Sequence, residues 1–382
     1  MGLLTTLKST LRTALRSGRR TSQRNGGRCI SLSFGPPVGP AASLSVCLSV
    51  CLVASLLPSS AAAWGPAGHE TVGAIADQLL KGSRAAAQVQ KIQLSNLRTG
   101  SVWADCARSV ALLKGKWTYV ADTKYKAACG IFETPASEAL MVDFVARNAS
   151  YCGFMAGHDR CRHEAYHFTD ISVSQPGYSP QLPGAAPNDL VQAIGAAITV
   201  LQGGKSPAPF NIANPREALR LLTHYIGDLH QPLHVGSVYL DDAGKPVTPA
   251  TAQEAKDHSN AGGNAILLGS TKLHALWDTV PDKLSVSLQA GAGAAEARQV
   301  HPATGPIAQW PTAWASETLS QSAQVFQGLH VGAKTAAQPG SSAAWPATSD
   351  EPAYRLAREN LQHAQLVKAG ARLAQVLKTL WP

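Results

Sequence analysis

The sequence predicts an all-α fold. Apolar residues recur at three- and four-residue spacing over five long segments, no stretch alternates apolar and polar residues over several positions, and no internal repeat of fixed period is present. Taken in chain order, the first helix is expected over 69–80 and the second over 135–151. The third is expected over 188–201. Asn214 followed by Pro215 is a good N-cap with proline at the first helical position, which starts the fourth helix, Pro215–Leu229. A fifth runs over 352–380. Proline and glycine clusters read as loops at 174–187 and 203–209, as do the Ala/Gly-rich stretches 290–306 and 332–349.

Residues 1–63 read as an export leader that is removed. They hold Lys8, Arg12, Arg16, Arg19, Arg20, Arg24 and Arg28 and no acidic residue, then an apolar run over 41–57, Pro58 and the small-residue triplet Ala61-Ala62-Ala63 that suits signal peptidase. The run is shorter than the roughly 20 residues of a membrane span. A valine precedes both Cys47 and Cys51, which argues against lipidation, and Arg19-Arg20 is only a weak twin-arginine signal. Cleavage would leave Trp64 as the N-terminus and a secreted or periplasmic domain over 64–382 with no membrane contact. The 33 basic residues lose seven with the leader, leaving 26 against 24 acidic ones, a net charge of +2. That balance excludes a strongly basic DNA-coating protein, so any nucleic-acid contact must be local.

Four cysteines remain, Cys106, Cys129, Cys152 and Cys161, an even number that suggests two disulfides in an exported chain; three pairings are open. Their spacing lacks a C-x-x-C knuckle, and 152–161 reads as a disulfide-closed loop rather than a metal site. Asn148-Ala-Ser150 is a glycosylation sequon, meaningful only in a eukaryotic source.

The chemistry lies in a series of nitrogen and oxygen donors: His69, Asp105, His167, His224, Asp228, His234, His274 and Asp278. Imidazole and carboxylate are zinc donors. His224 and Asp228 are four residues apart and share one helix face, and His274 and Asp278 repeat that spacing. Pro232 ends the helix and frees His234 to reach a different ion. His230 falls off the metal-facing side and is expected to pack or orient. His158, His163, His258, His301, His330 and His363 are read as ordinary surface or hydrogen-bonded residues.

In order, Trp64-Gly-x-x-Gly-His69, Trp103-Ala-Asp105, His167-Phe168-x-Asp170, His224-x-x-x-Asp228-x-His-Gln-Pro-x-His234, Gly262-Gly263-Asn264 and His274-x-x-Trp-Asp278 resemble the zinc-dependent single-strand nucleases of fungi and plants, the S1/P1 type. The resemblance runs over about 64–380. It implies a single mainly helical domain with long loops around a cleft holding three zinc ions. Asp105, His167, His224 and Asp228 would hold the first ion, His234, His274 and Asp278 the second, and Trp64 and His69 the third, with Asp228 bridging first and third. Trp64 would contribute its free amine and carbonyl, so leader removal would be part of catalysis. The implied activity is an exported endonuclease that hydrolyses single-stranded DNA or RNA to 5′-phosphorylated products, with 3′-nucleotidase activity. Asp170 would orient the nucleophile, Arg108 would contact phosphate and Phe168 would stack a base. The substrate is single-stranded nucleic acid or a 3′-nucleotide; a monomer without a stable protein partner is expected. Trp103 and Trp277 are expected to shield the cluster from water. A zinc-dependent phospholipase C is the nearest rival, disfavoured by Asp278 where that group more typically has Glu. An exported zinc-binding protein without turnover is the other, and it leaves Asp170 and Phe168 without purpose.

Overall fold

The computed structural model describes residues 64–149, 153–155, 158–160, 163–337 and 342–382. The helices used below are α1 Pro66–Leu80, α2 Trp103–Ala107, α3 Pro135–Arg147, α4 Leu190–Leu201, α5 Pro215–Leu229, α6 Leu273–Asp278, α7 Trp310–Ser322 and α8 Ala353–Leu380. This bears out the all-α prediction. Capping chemistry sets the start of the central helix α5: the Asn214 side chain accepts from Glu217 N at 3.0 Å, while Glu217 Oε1 accepts from Ala213 N at 3.0 Å. Pro232 stops it, and a single 3₁₀ turn, Pro232–His234, follows. Almost every side chain of α5 from Glu217 to Leu229 is buried, so this helix forms the centre of the molecule.

Around it pack α4, whose Asp189 N-cap accepts from Val191 N and Gln192 N, and the 28-residue α8, which also lies along α1. Leu366, Leu373 and Leu377 of α8 are fully buried, each contributing about 1.5–3 kcal/mol of transfer free energy. The two long helices approach closely because Gly370 has no side chain; a Cβ there would lie 2.5 Å from Ile75 Cγ2. Cys106 in α2 is bonded to Cys129, which ties the segment carrying Asp105 to the chain ahead of α3.

Short strands flank this core. Two form a hairpin, β1 Val110–Leu113 and β2 Lys116–Tyr119, directly after α2. Four more, β3 Ile266–Leu268, β4 Thr271–Lys272, β5 Leu329–Val331 and β6 Trp345–Ser349, make a sheet in the order β4-β3-β6-β5. Its central pair is parallel, with Trp345 opposite Ile266. The sheet covers a second apolar cluster built on Leu233, Leu273, Trp277, Trp345 and Tyr354, separate from the main one around α1, α4, α5 and α8.

The sheet is one departure from the sequence reading, which took 332–349 as loop. Strands of two to five residues are too short to show alternation, and Pro346 within β6 conceals it further. A second departure is 290–306, where a helical turn precedes a short helix, Gly293–Ala297. Its small residues permit close contact with α1, since a Cβ on Gly293 would lie 2.6 Å from Ile75 Cδ1. The second predicted helix ends at Arg147 because Asn148 caps it, donating to Phe144 O at 2.8 Å and accepting from Tyr166 OH at 3.0 Å. Asn148 is 2% exposed, so the sequon side chain is enclosed. Cys152 and Cys161, and hence the second expected disulfide, lie outside the described residues. Among the described residues no helix is long and apolar enough to cross a membrane.

Candidate metal centre

Eight side chains from six parts of the chain converge at the C-terminal half of α5. His224 and Asp228 project from α5 itself; His69 comes from the first turn of α1, Asp105 from α2, His167 from the 3₁₀ turn His163–His167, His234 from the turn after α5, and His274 and Asp278 from α6. His69, His224 and Asp228 have no exposed surface, and the rest are nearly as enclosed.

They form three groups. In the first, Asp228 Oδ2 lies 3.1 Å from His167 Nδ1 and 3.2 Å from His224 Nε2, with Asp105 Oδ1 3.7 Å from the same His224 nitrogen. In the second, His234 Nε2 and His274 Nε2 are 3.1 Å apart, with the Asp278 oxygens 3.9 and 3.5 Å away. For the third, Asp228 turns its other oxygen, Oδ1, to His69 Nε2 at 3.3 Å. His69 also groups with Asp105 and His224 as a set able to hold an ion. Trp64 is fully buried beside them, its indole N–H donating to Gly227 O at 2.8 Å. Gly227 is required by this approach: a Cβ would lie 2.8 Å from His69 Nδ1.

Hydrogen bonding on the far side of three of the five rings fixes which nitrogen faces inward. His224 Nδ1 donates to Ser101 O at 2.6 Å, His234 Nδ1 to His167 O at 2.7 Å and His274 Nδ1 to Gly262 O at 2.6 Å. In His234 and His274, which burial keeps neutral, Nε2 therefore carries a lone pair. Two such lone pairs 3.1 Å apart, as in His234 and His274, repel unless a cation lies between them; the donor set fits a metal ion. Gly262 and Gly263 adopt positive φ of 59° and 86°, which turns the carbonyl of Gly262 onto His274.

Charge follows the same division. Burial lowers His167 and His274 to about 3, so both rings are neutral donors. Burial raises Asp228, but His224, His234 and His167 outweigh it and hold the carboxyl well below its ordinary range. Burial lifts Asp278 well above the ordinary range, against the hydrogen bond from Gln231 Nε2 at 2.7 Å. Burial thus favours the neutral acid at Asp278, against which a metal would compete. Zinc binding there is expected to release about one proton, so affinity rises with pH and falls in acid. Calorimetry in two buffers of different ionisation enthalpy measures it, and zero proton release would contradict the assignment.

Among the other expected site residues, Arg108 pairs with Asp105 at 3.3 Å and is largely buried, its Nε lacking an acceptor. Asp170 is buried; a Cβ on Gly262 would lie 3.4 Å from its Oδ1 and 3.6 Å from His274 Nδ1, which puts the carboxyl near the Gly262 side of the His274 ring. Phe168 is half-buried against Ala165 and Ala186, one step from His167. His230 turns away, as its spacing predicted, bonding Ile226 O and Arg372. Trp103 and Trp277 are each 1% exposed.

Gln231 is the functional residue that the sequence reading passed over. It lies inside the dense motif, but nothing in the motif says that its amide donates to Asp278 while its carbonyl accepts from Leu233 N at 2.6 Å. Gln231→Ala is expected to weaken zinc binding roughly 10–100-fold, the usual cost of losing a group that orients a ligand. Competition with a chromogenic chelator tests this, an unchanged affinity refuting it. The three carbonyls that orient the histidines were equally invisible, since any residue could supply them.

A model of the S1/P1 nuclease family matches residues 155–381. The chain is also similar to Endonuclease 4 of Arabidopsis thaliana, 26% identical over 178 residues, which is 44% of this chain and 52% of that protein. The chain thus spans about half the length of the curated relative it matches. Trp64, His69 and Asp105 precede the matched span, yet the fold brings them to the donors within it.

Proposed function

The chain belongs to the S1/P1 nuclease family, and from that premise we propose that it is an exported, zinc-dependent phosphodiesterase that cuts single-stranded DNA or RNA into 5′-phosphorylated products and removes the phosphate of 3′-nucleotides. The observation that carries this reading is Asp228, whose two oxygens face different donor groups 3.1–3.3 Å away. A carboxylate so shared suits clustered cations better than a lone structural ion. We assign Asp105, His167, His224 and Asp228 to one zinc, His234, His274 and Asp278 to a second, and Trp64 with His69 to a third that Asp228 shares. When bound, the ions supply Lewis acidity at the phosphoryl oxygens and lower the pKa of the attacking water.

The protein's own groups do the rest. Trp64 has a donor amine only once the leader is removed, since an amide nitrogen carries no basic lone pair. Asp170 orients the nucleophile and accepts a hydrogen bond from it. Arg108, anchored on Asp105, turns its remaining donors to the phosphate. Phe168 stacks an unpaired base, a contact worth about 1–3 kcal/mol. A duplex cannot bring its phosphate into so recessed a centre without unstacking, and that selects single strands.

The test is hydrolysis of single-stranded DNA, duplex DNA and phosphatidylcholine by processed protein, before and after chelation, with zinc counted on the same sample. Loss of single-strand cleavage on chelation, with about three zinc per chain, is expected. Retained cleavage without metal, or preference for phosphatidylcholine, would overturn the reading.

A further inference from the structure

A cleft of about 380 Å³ opens at the first turns of α5, on the stripe that leads away from the metal donors. Arg216, Arg220, His224 and Asp228 follow one another at four-residue intervals, each step about 6 Å along the axis. Ile92, Leu140 and Pro215 give the cleft an apolar wall, and Arg216 and Arg220 give it charge.

These two partly buried guanidinium groups lack a carboxylate partner among the described residues. Arg216 Nε donates to Ile92 O at 2.9 Å. Arg220 rests over the rings of Trp103 and Phe132, 5.4 and 5.3 Å from their centroids, and its Nε is buried without an acceptor. Among the described residues neither has a carboxylate within ion-pair distance. Glu217, the one acidic residue lining the cleft, is committed to Arg147 at 2.6 Å and to Ala213 N. Burial, then the neighbouring Arg216, pushes Arg220 down to about 10, a penalty that a bound anion would relieve.

We propose that this cleft binds one nucleotide of a single-stranded nucleic acid outside the metal centre, with Arg216 and Arg220 on the phosphate and the wall of Ile92, Leu140 and Pro215 against its sugar or base. The choice of a nucleotide as ligand rests on the nucleic-acid reading above; the unpaired charge of the cleft does not. Two guanidinium groups beside an apolar wall match a phosphate joined to a ring, whereas a free phosphate would leave the wall unused.

The experiment measures binding, so it is independent of turnover. Anisotropy of a hydrolysis-resistant phosphorothioate oligonucleotide on the full chain is followed across salt for the wild type, R216E, R220Q and L140S. R216E is expected to weaken binding about tenfold or more, and R216E and R220Q each to lower the salt slope by about one. L140S, which removes the apolar contact without adding charge, should weaken a mononucleotide competitor and leave inorganic phosphate unaffected. Thermal melts check folding; Leu140 is exposed and Arg216 partly so, so R216E and L140S decide the matter if R220Q does not fold. Unchanged affinity and slope in R216E would overturn the proposal, as would an effect confined to vesicles of phosphatidylglycerol. Wild-type protein that binds the oligonucleotide through this cleft but cleaves no strand would sink the proposed activity and leave the cleft standing.

Discussion

Replacing Asp228 by Asn is expected to strip at least one zinc from the protein and to lower single-strand hydrolysis by more than the roughly 10–100-fold typical of losing a group that only orients a ligand. The reason is geometric. Oδ2 faces His167 and His224 while Oδ1 faces His69, so the two oxygens of one carboxyl serve different sets. An amide keeps the shape but presents an NH₂ to one of them, where hydrogens point at the cation. The same change removes the charge that raises His224 against burial. Metal analysis and kcat on one sample test it. A variant with full zinc and near-normal kcat would show that Asp228 is not shared.

Loss of the Cys106–Cys129 bond should be the largest change in stability. The bridge closes a loop of 23 residues' separation, for which chain entropy gives about 3 kcal/mol. That loop starts beside Asp105 and Arg108 and contains the β1–β2 hairpin, so opening it frees the segment that carries both. The double variant Cys106→Ser with Cys129→Ser is expected to unfold at lower denaturant and to hold zinc at the first group less tightly than at His234, His274 and Asp278. Denaturant titration with zinc competition reads both effects. Equal loss at the two groups would mean that the bridge does not position Asp105.

Much of this was legible because local chemistry agreed with the fold. Asn214, Pro215 and Pro232 bracket α5 in the sequence, and the structure ends it where they do. His224 with Asp228 and His274 with Asp278 were legible as pairs because a helix places residues four apart on one face. What the sequence could not display was anything made by backbone or by distance. The carbonyls of Ser101, His167 and Gly262 select the ring nitrogen, and no side-chain pattern encodes them. The β4-β3-β6-β5 sheet joins strands some eighty residues apart, each too short to announce itself. The helix Gly293–Ala297 looked like linker because tight packing against α1 and a flexible tether both favour alanine and glycine.

The motif running from His224 to His234 crosses from one apolar cluster to the other: Leu229 belongs to the larger and Leu233 to the smaller, which also carries the residues flanking His274 and Asp278. Ions seated there would act as rivets between two bodies that each have their own grease. Heating a zinc-loaded sample should then give one cooperative transition, and the chelated sample two, with the portion around Trp277 and Trp345 loosening first.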